Sequence, residues 1–137
     1  MTIPGWATDL GLLVLRLSVG GFMFASHGLA KLLSFGDEFH RFADPIGLGS
    51  ELSLILTVFS EVVCPVLLIV GFATRLAAVP LLITMLVAAF VVHGADPWAK
   101  KEFALLYAAP ALAIFLLGPG KYSLDAKRGK EHRLWPL

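Results

Sequence analysis

Four stretches of apolar residues, each near the length of a membrane-crossing helix, dominate this sequence. They run roughly from Asp9 to Leu33, Glu51 to Phe72, Arg75 to His93 and Glu102 to Leu117. A bilayer core takes about 20 residues of helix. Backbone in lipid must satisfy its own hydrogen bonds, so helices are what such stretches form. Hydrophobic residues make up 58% of the 137, and charged residues 15%. One soluble domain of this size cannot enclose so much apolar surface, so lipid is the expected solvent. The expected fold is all-α: an integral membrane bundle of four antiparallel helices.

The segments between these runs carry turn signals. Gly71-Phe72-Ala73-Thr74-Arg75 predicts a tight turn, which makes the second and third helices a hairpin. Gly94-Ala95-Asp96-Pro97 separates the third from the fourth, and Gly118-Pro119-Gly120 ends the fourth. The long connection, Ser34 to Ser50, places Phe35, Phe39 and Phe42 on one helical face. That spacing predicts a short amphipathic helix at the membrane interface, either an anchor or a lid. Ser50 is the expected N-cap of the second long helix.

The first nine residues, MTIPGWATD, hold no Lys or Arg, and Arg16 interrupts the apolar run behind them. The first segment is therefore expected to be a retained helix and not a cleaved signal. An even number of spans puts both termini on one side. That side would carry Arg75, Lys121, Lys127, Arg128, Lys130, Arg133 and His132; the other would carry Lys31, Arg41, Lys100, Lys101 and His40. The excess of basic residues favours cytoplasmic termini. We expect a membrane domain over residues 1–126 and a basic cytoplasmic tail over 127–137. A net charge of +1 argues against nucleic acid as a partner. The lone cysteine, Cys64, excludes a disulfide within the chain and reads as a packing residue.

Polar residues inside the spans are the candidates for function. At about 100° per residue, Arg16, Gly20, His27 and Lys31 fall within about 60° of one another on the first helix. Gly21, Ala25 and Gly28 form a second, small-residue face suited to helix packing. Glu61 lies mid-span on the second helix, where an unpaired charge costs about 2.5–3.5 kcal/mol. Arg16 is its expected partner, as a structural ion pair or as part of a proton relay. On the third helix Arg75 and His93 share a face from opposite ends. On the fourth, Glu102 lies at the depth of His93 and His27. Two histidines could bond to backbone or water, donate to and exchange protons with a bound ligand, or ligate haem b. No haem-attachment motif supports the last. A metal held by His27, His93 and Glu102 would need three helices to converge, and we expect none.

The ordered series Arg16-x-x-x-Gly20, His27-Gly28-x-x-Lys31, Glu61, Gly71-Phe72-Ala73-Thr74-Arg75, His93 and Gly118-Pro119-Gly120-Lys121-Tyr122-Ser123-Leu124-Asp125 resembles the DoxX family, over about Leu10 to Ala126. The resemblance implies a small four-helix protein of a bacterial or archaeal cytoplasmic membrane, labelled in the family as a membrane oxidoreductase or a subunit of one. It implies an exchangeable quinone and no covalently bound cofactor. On this expectation His27, Lys31 and His93 contact the quinone, Glu61, His93 and Glu102 carry the proton chemistry, and Arg75 positions the bundle. Other subunits of a membrane complex, or further copies of the chain, are the expected partners. The alternative is an accessory subunit that assembles without chemistry of its own.

Overall fold

The structure is a computed structural model and describes residues 3–129. The tail residues Lys130, His132 and Arg133, with the rest of 130–137, lie outside the described residues. All regular elements among the described residues are helical. Helix α1 spans Gly5–Leu33, α3 spans Ser50–Val70 and α4 spans Thr74–Val92; each is long and apolar enough to cross a membrane. A one-turn helix, α2, covers Phe35–Glu38. Helix α5, Trp98–Leu117, has 20 residues but opens with Lys100, Lys101 and Glu102. A short α6, Leu124–Arg128, follows.

Each of the three apolar helices contains one widened turn, closed by i→i+5 hydrogen bonds. These lie at Phe24–Gly28, Phe59–Val63 and Ala88–Val92. An inserted residue rotates everything beyond it by about 100° relative to an unbroken helix. This resets the faces of α1. Gly20 and Gly28 now lie within about 20° of each other, and both are buried. A Cβ at Gly20 would come within 2.8 Å of the Pro65 carbonyl oxygen, and one at Gly28 within 2.0 Å of the Glu61 carbonyl oxygen. Gly21 has open space around it and Ala25 is exposed. The packing face of α1 is therefore Gly20 and Gly28, not Gly21, Ala25 and Gly28.

These contacts fix an antiparallel register, with Gly28 opposite Glu61, Gly20 opposite Pro65 and Arg16 beside Gly71. At the end of α3, Gly71 adopts a left-handed conformation (φ 71°), and the Phe72 N–H reaches back to the Leu67 carbonyl at 3.0 Å. This is the glycine-terminated helix end that allows a tight hairpin. Helices α4 and α5 pack most extensively, through Ala77, Ala78, Ala108 and Ala111, whose small side chains allow close approach. They too run antiparallel, since Gly118 after α5 lies against the Arg75 guanidinium at the start of α4.

The N-cap of α3 differs from expectation. Ser50 is its first helical residue, and Gly49 (φ 91°) precedes it without a side-chain cap. Asp44 instead ties the loop that leads into the helix. Its carboxylate accepts from Leu48 N at 2.8 Å, Gly49 N at 2.9 Å and the Ser53 hydroxyl at 3.0 Å. The Gly49 backbone bond is the main cause holding the Asp44 carboxyl below its usual range, with further help from Leu48, Ser53 and Gly47.

The Gly118–Asp125 segment forms a strap under the bundle. Lys121 N donates to Asp9 at 2.9 Å, and Asp125 N donates to the Gly71 carbonyl at 2.9 Å. The Asp125 carboxylate then caps α4, accepting from Ala73 N at 2.8 Å, Thr74 N at 2.9 Å and the Thr74 hydroxyl at 2.7 Å. Replacing a capping side chain costs about 1–2 kcal/mol. We therefore predict that Asp125→Ala lowers the thermal midpoint of the protein in detergent and hastens proteolysis at the strap. Asp125→Asn should keep part of the difference through its amide oxygen.

Candidate functional site

The three widened turns converge on one cavity of about 310 Å³. His27 of α1, Glu61 of α3 and Ala88 and Val92 of α4 line it, each drawn from one of those turns. Such turns are frequent at functional sites because they re-aim a side chain and loosen the backbone ladder. Lys31, His93, Lys100, Phe103 and Tyr107 complete its chemistry. Of the expected site residues, the fold thus gathers His27, Lys31, Glu61 and His93.

The ion pair expected between Arg16 and Glu61 is corrected. Glu61 pairs with Lys31, Oε2 to Nζ, at 2.6 Å. The Glu61 side chain is 6% exposed and that of Lys31 24%. The reason is register: with Gly28 against Glu61, Arg16 lies 12 residues away along α1, or about 18 Å at 1.5 Å per residue. Lys31 is one turn beyond Gly28 and reaches the carboxylate directly. Arg16 instead is fully buried at the opposite end of the bundle. Its Nη2 donates to the Tyr122 carbonyl in the strap, Nη1 packs against Gly71, and Asp125 is its electrostatic counterpart. Its Nε and Nη1 have no hydrogen-bond partner. Arg16 pins the strap and takes no part in the cavity.

Two further expectations change. Glu102 is exposed and does not line the cavity. It shares its face of α5 with Leu106, itself 63% exposed, so that stripe faces outward. The cavity is served by Lys100, Phe103, Ala104 and Tyr107. Arg75 lies against Gly118 and donates to the Leu116 carbonyl at 3.4 Å, remote from the cavity residues. The widened turn at Ala88–Val92 separates its face from that of His93 by about 100°.

The aromatic wall went unread in the sequence. The His27 ring lies 5.4 Å from that of Phe103 and 5.7 Å, edge-on, from that of Tyr107. His27 Nε2 is buried with no hydrogen-bond partner. The i, i+4 spacing of Phe103 and Tyr107, with Lys100 three residues earlier, is the signal that could have found this wall. At the mouth, His93 Nδ1 lies 2.7 Å from Asp96 Oδ2. A carboxylate only accepts, so Nδ1 is the donor, and in the neutral ring Nε2 is the acceptor. That hydrogen bond from His93 is the leading cause holding the Asp96 carboxyl below its usual range, and Lys100 at 3.6 Å adds to it.

The chain is thus a helical membrane protein with a largely apolar cavity, set with a few ionisable groups, where its helices widen. It belongs to the DoxX family, whose profile matches residues 11–94. That match covers α3, α4, all of α1 but its first turns, and most of the cavity, and ends before α5. Two proteins of Haemophilus influenzae, each described only as an uncharacterized protein, are similar to it. One is 30% identical over 131 residues, covering 90% of this chain and 86% of the relative. The other is 35% identical over 120 residues, covering 82% and 87%. No solved structure matches the chain.

Proposed function

We propose that this protein binds the ring of a membrane quinone in the cavity and takes part in quinone-linked electron transfer. In this reading all four long helices cross a cytoplasmic membrane, and both termini face the cytoplasm. The turn at Phe35–Glu38 and the loop after it rest at the outer interface. The observation that carries the proposal is a buried Glu61 carboxylate paired with the half-buried Lys31 at 2.6 Å in an aromatic-walled cavity, beside a histidine with an unpartnered Nε2.

Each group has a definite capacity. The Lys31 ammonium can turn from Glu61 towards a ring oxygen and stabilise the negative charge that develops there on reduction. Glu61 sits at hydrogen-bond distance from that ammonium and can accept or return its proton. His27 offers a hydrogen bond to the second ring oxygen, and Phe103 and Tyr107 offer faces for stacking. His93, held by Asp96 at the mouth, can pass protons between the cavity and water. Reduction of the quinone to the quinol takes two electrons and two protons. The electrons come from a donor protein or a small reductant, and the residues above supply the protons.

The test is binding by the whole chain in phosphatidylcholine nanodiscs, with 2,3-dimethoxy-5-methyl-1,4-benzoquinone as the probe. The native protein should bind the ring with micromolar affinity and yield quinone on lipid extraction. His27→Ala should weaken binding about tenfold, the loss of one hydrogen bond from a buried site. A native chain that neither binds the ring nor carries quinone would overturn the proposal.

A further inference from the structure

We infer that an apolar groove between α3 and α4 receives the single apolar chain of an amphiphile whose ring lies in the adjoining cavity. The inference rests on the ring-binding reading and adds the place where the ligand's long hydrocarbon substituent lies. The groove has a volume of about 340 Å³ and is distinct from the cavity. The two share four wall residues, Pro45, Thr57, Thr84 and Val87, so the two spaces adjoin, and the proposed ligand crosses between them past these side chains.

The groove exists because the α3–α4 hairpin is packed at one end and open at the other. The Cys64–Val70 half of α3 packs closely on α4, whereas the Ser50–Val58 half stands away from it. Pro80, inside α4, lines the opening. Its ring cannot donate a backbone bond and disrupts the preceding turn. Ile46 and Leu48 of the loop close the top, held by the bonds from Leu48 N and Gly49 N to Asp44.

Both walls are mainly apolar, and ionisable side chains set the cavity apart from the groove. In the groove, Ser53 spends its hydroxyl hydrogen on Asp44 at 3.0 Å, and Thr57 spends its own on the Ser53 carbonyl at 2.7 Å. The hydroxyl hydrogens of both are thus held within the protein, and aliphatic and aromatic side chains make up most of the wall. Charged groups line the cavity alone. The outer lip is formed by Leu56, Phe59 and Ile83, which are 46%, 44% and 54% exposed, as expected of side chains that meet lipid. A hydrocarbon chain leaving the ring would therefore pass through apolar surroundings all the way to the bilayer. A tail-less polar ligand would leave this groove unused.

The test compares two probes on the whole chain in phosphatidylcholine nanodiscs: 2,3-dimethoxy-5-methyl-1,4-benzoquinone and the same ring with a decyl substituent. Ile83→Trp fills the groove from α4, and Leu56→Trp fills it from α3. Comparing each variant with the native chain, probe by probe, cancels the decyl compound's own partition into lipid. Both variants should weaken decyl-ring binding about tenfold, equivalent to roughly two lost buried methylenes. The tail-less ring should bind within about twofold of native, which also shows that the variants fold. Equal weakening of both probes, or of neither, overturns the inference while ring binding by the native chain stands. The groove is likewise no tail site if Ile83→Trp spares the decyl ring and only releases a bilayer lipid detected by native mass spectrometry. If the native chain binds neither probe, the ring-binding reading fails first and this inference with it.

Discussion

A single methyl group at position 28 is expected to force α1 and α3 apart. A Cβ there would lie 2.0 Å from the Glu61 carbonyl oxygen and 2.7 Å from its carbonyl carbon. Both are backbone atoms, so no side-chain rotation relieves the clash and one helix must shift. Overpacking of this kind costs about 1–3 kcal/mol, and a backbone obstacle puts Gly28→Ala at the upper end. Alanine recovers up to about 1 kcal/mol through helix propensity, so the net loss should be about 2 kcal/mol. Gly21→Ala is the control: the same change on the same helix, with nothing within 4 Å of the new methyl. It should be neutral or slightly stabilising. Thermal unfolding in detergent measures both. Equal midpoints for the two variants would mean that the close approach of α1 to α3 is absent. Gly28→Ala should also weaken binding at the cavity, because Glu61 is the residue it displaces.

That glycine also shows what the sequence makes legible and what it hides. The apolar runs, the Gly71 turn and the Gly118 helix end follow from length, hydropathy and backbone freedom, and the helices lie where those features put them, within a few residues. His27, Lys31, Glu61 and His93 were identifiable because ionisable groups inside apolar spans are costly and therefore face the interior. Their partners were not identifiable. An ideal helical wheel places Gly21, Ala25 and Gly28 on one face, but the inserted residue at Phe24–Gly28 moves Gly28 into line with Gly20. No composition signal marks that insertion. Arg16 is out of reach of Glu61 through register: with Gly28 against Glu61 it lies about 18 Å away along α1, and neither helix alone encodes that register. Glu102 failed for a different reason. A charge near the end of a helix can reach interfacial water, so it need not face the bundle, and the Phe103–Tyr107 face packs there in its place. Arg16 found its partners in a segment, Gly118–Asp125, whose path back under the bundle depends on tertiary contacts that a linear pattern does not encode.

Breaking the Lys31–Glu61 pair is expected to be strongly asymmetric. Glu61 is enclosed, whereas Lys31 keeps a quarter of its side chain exposed on a long flexible stem. In Glu61→Gln, the lysine can swing its ammonium towards interfacial water, and the amide still accepts hydrogen bonds, so the loss should be about 1 kcal/mol. In Lys31→Met, the carboxylate stays buried without a counter-charge, a change that costs about 3–5 kcal/mol. The double variant, Lys31→Met with Glu61→Gln, has no charge left to strand and should recover most of that loss. A coupling energy of about 2 kcal/mol or more should therefore appear in a double-mutant cycle of thermal unfolding. The parallel cycle with Arg16→Met should show additive losses, since Arg16 and Glu61 share no contact. The double variant also separates architecture from function. If Lys31 and Glu61 only hold helices together, the refolded double variant should bind the tail-less benzoquinone ring as the native chain does. If they serve the ring, stability returns and binding does not, because methionine offers no charge to a ring oxygen and glutamine no proton to exchange.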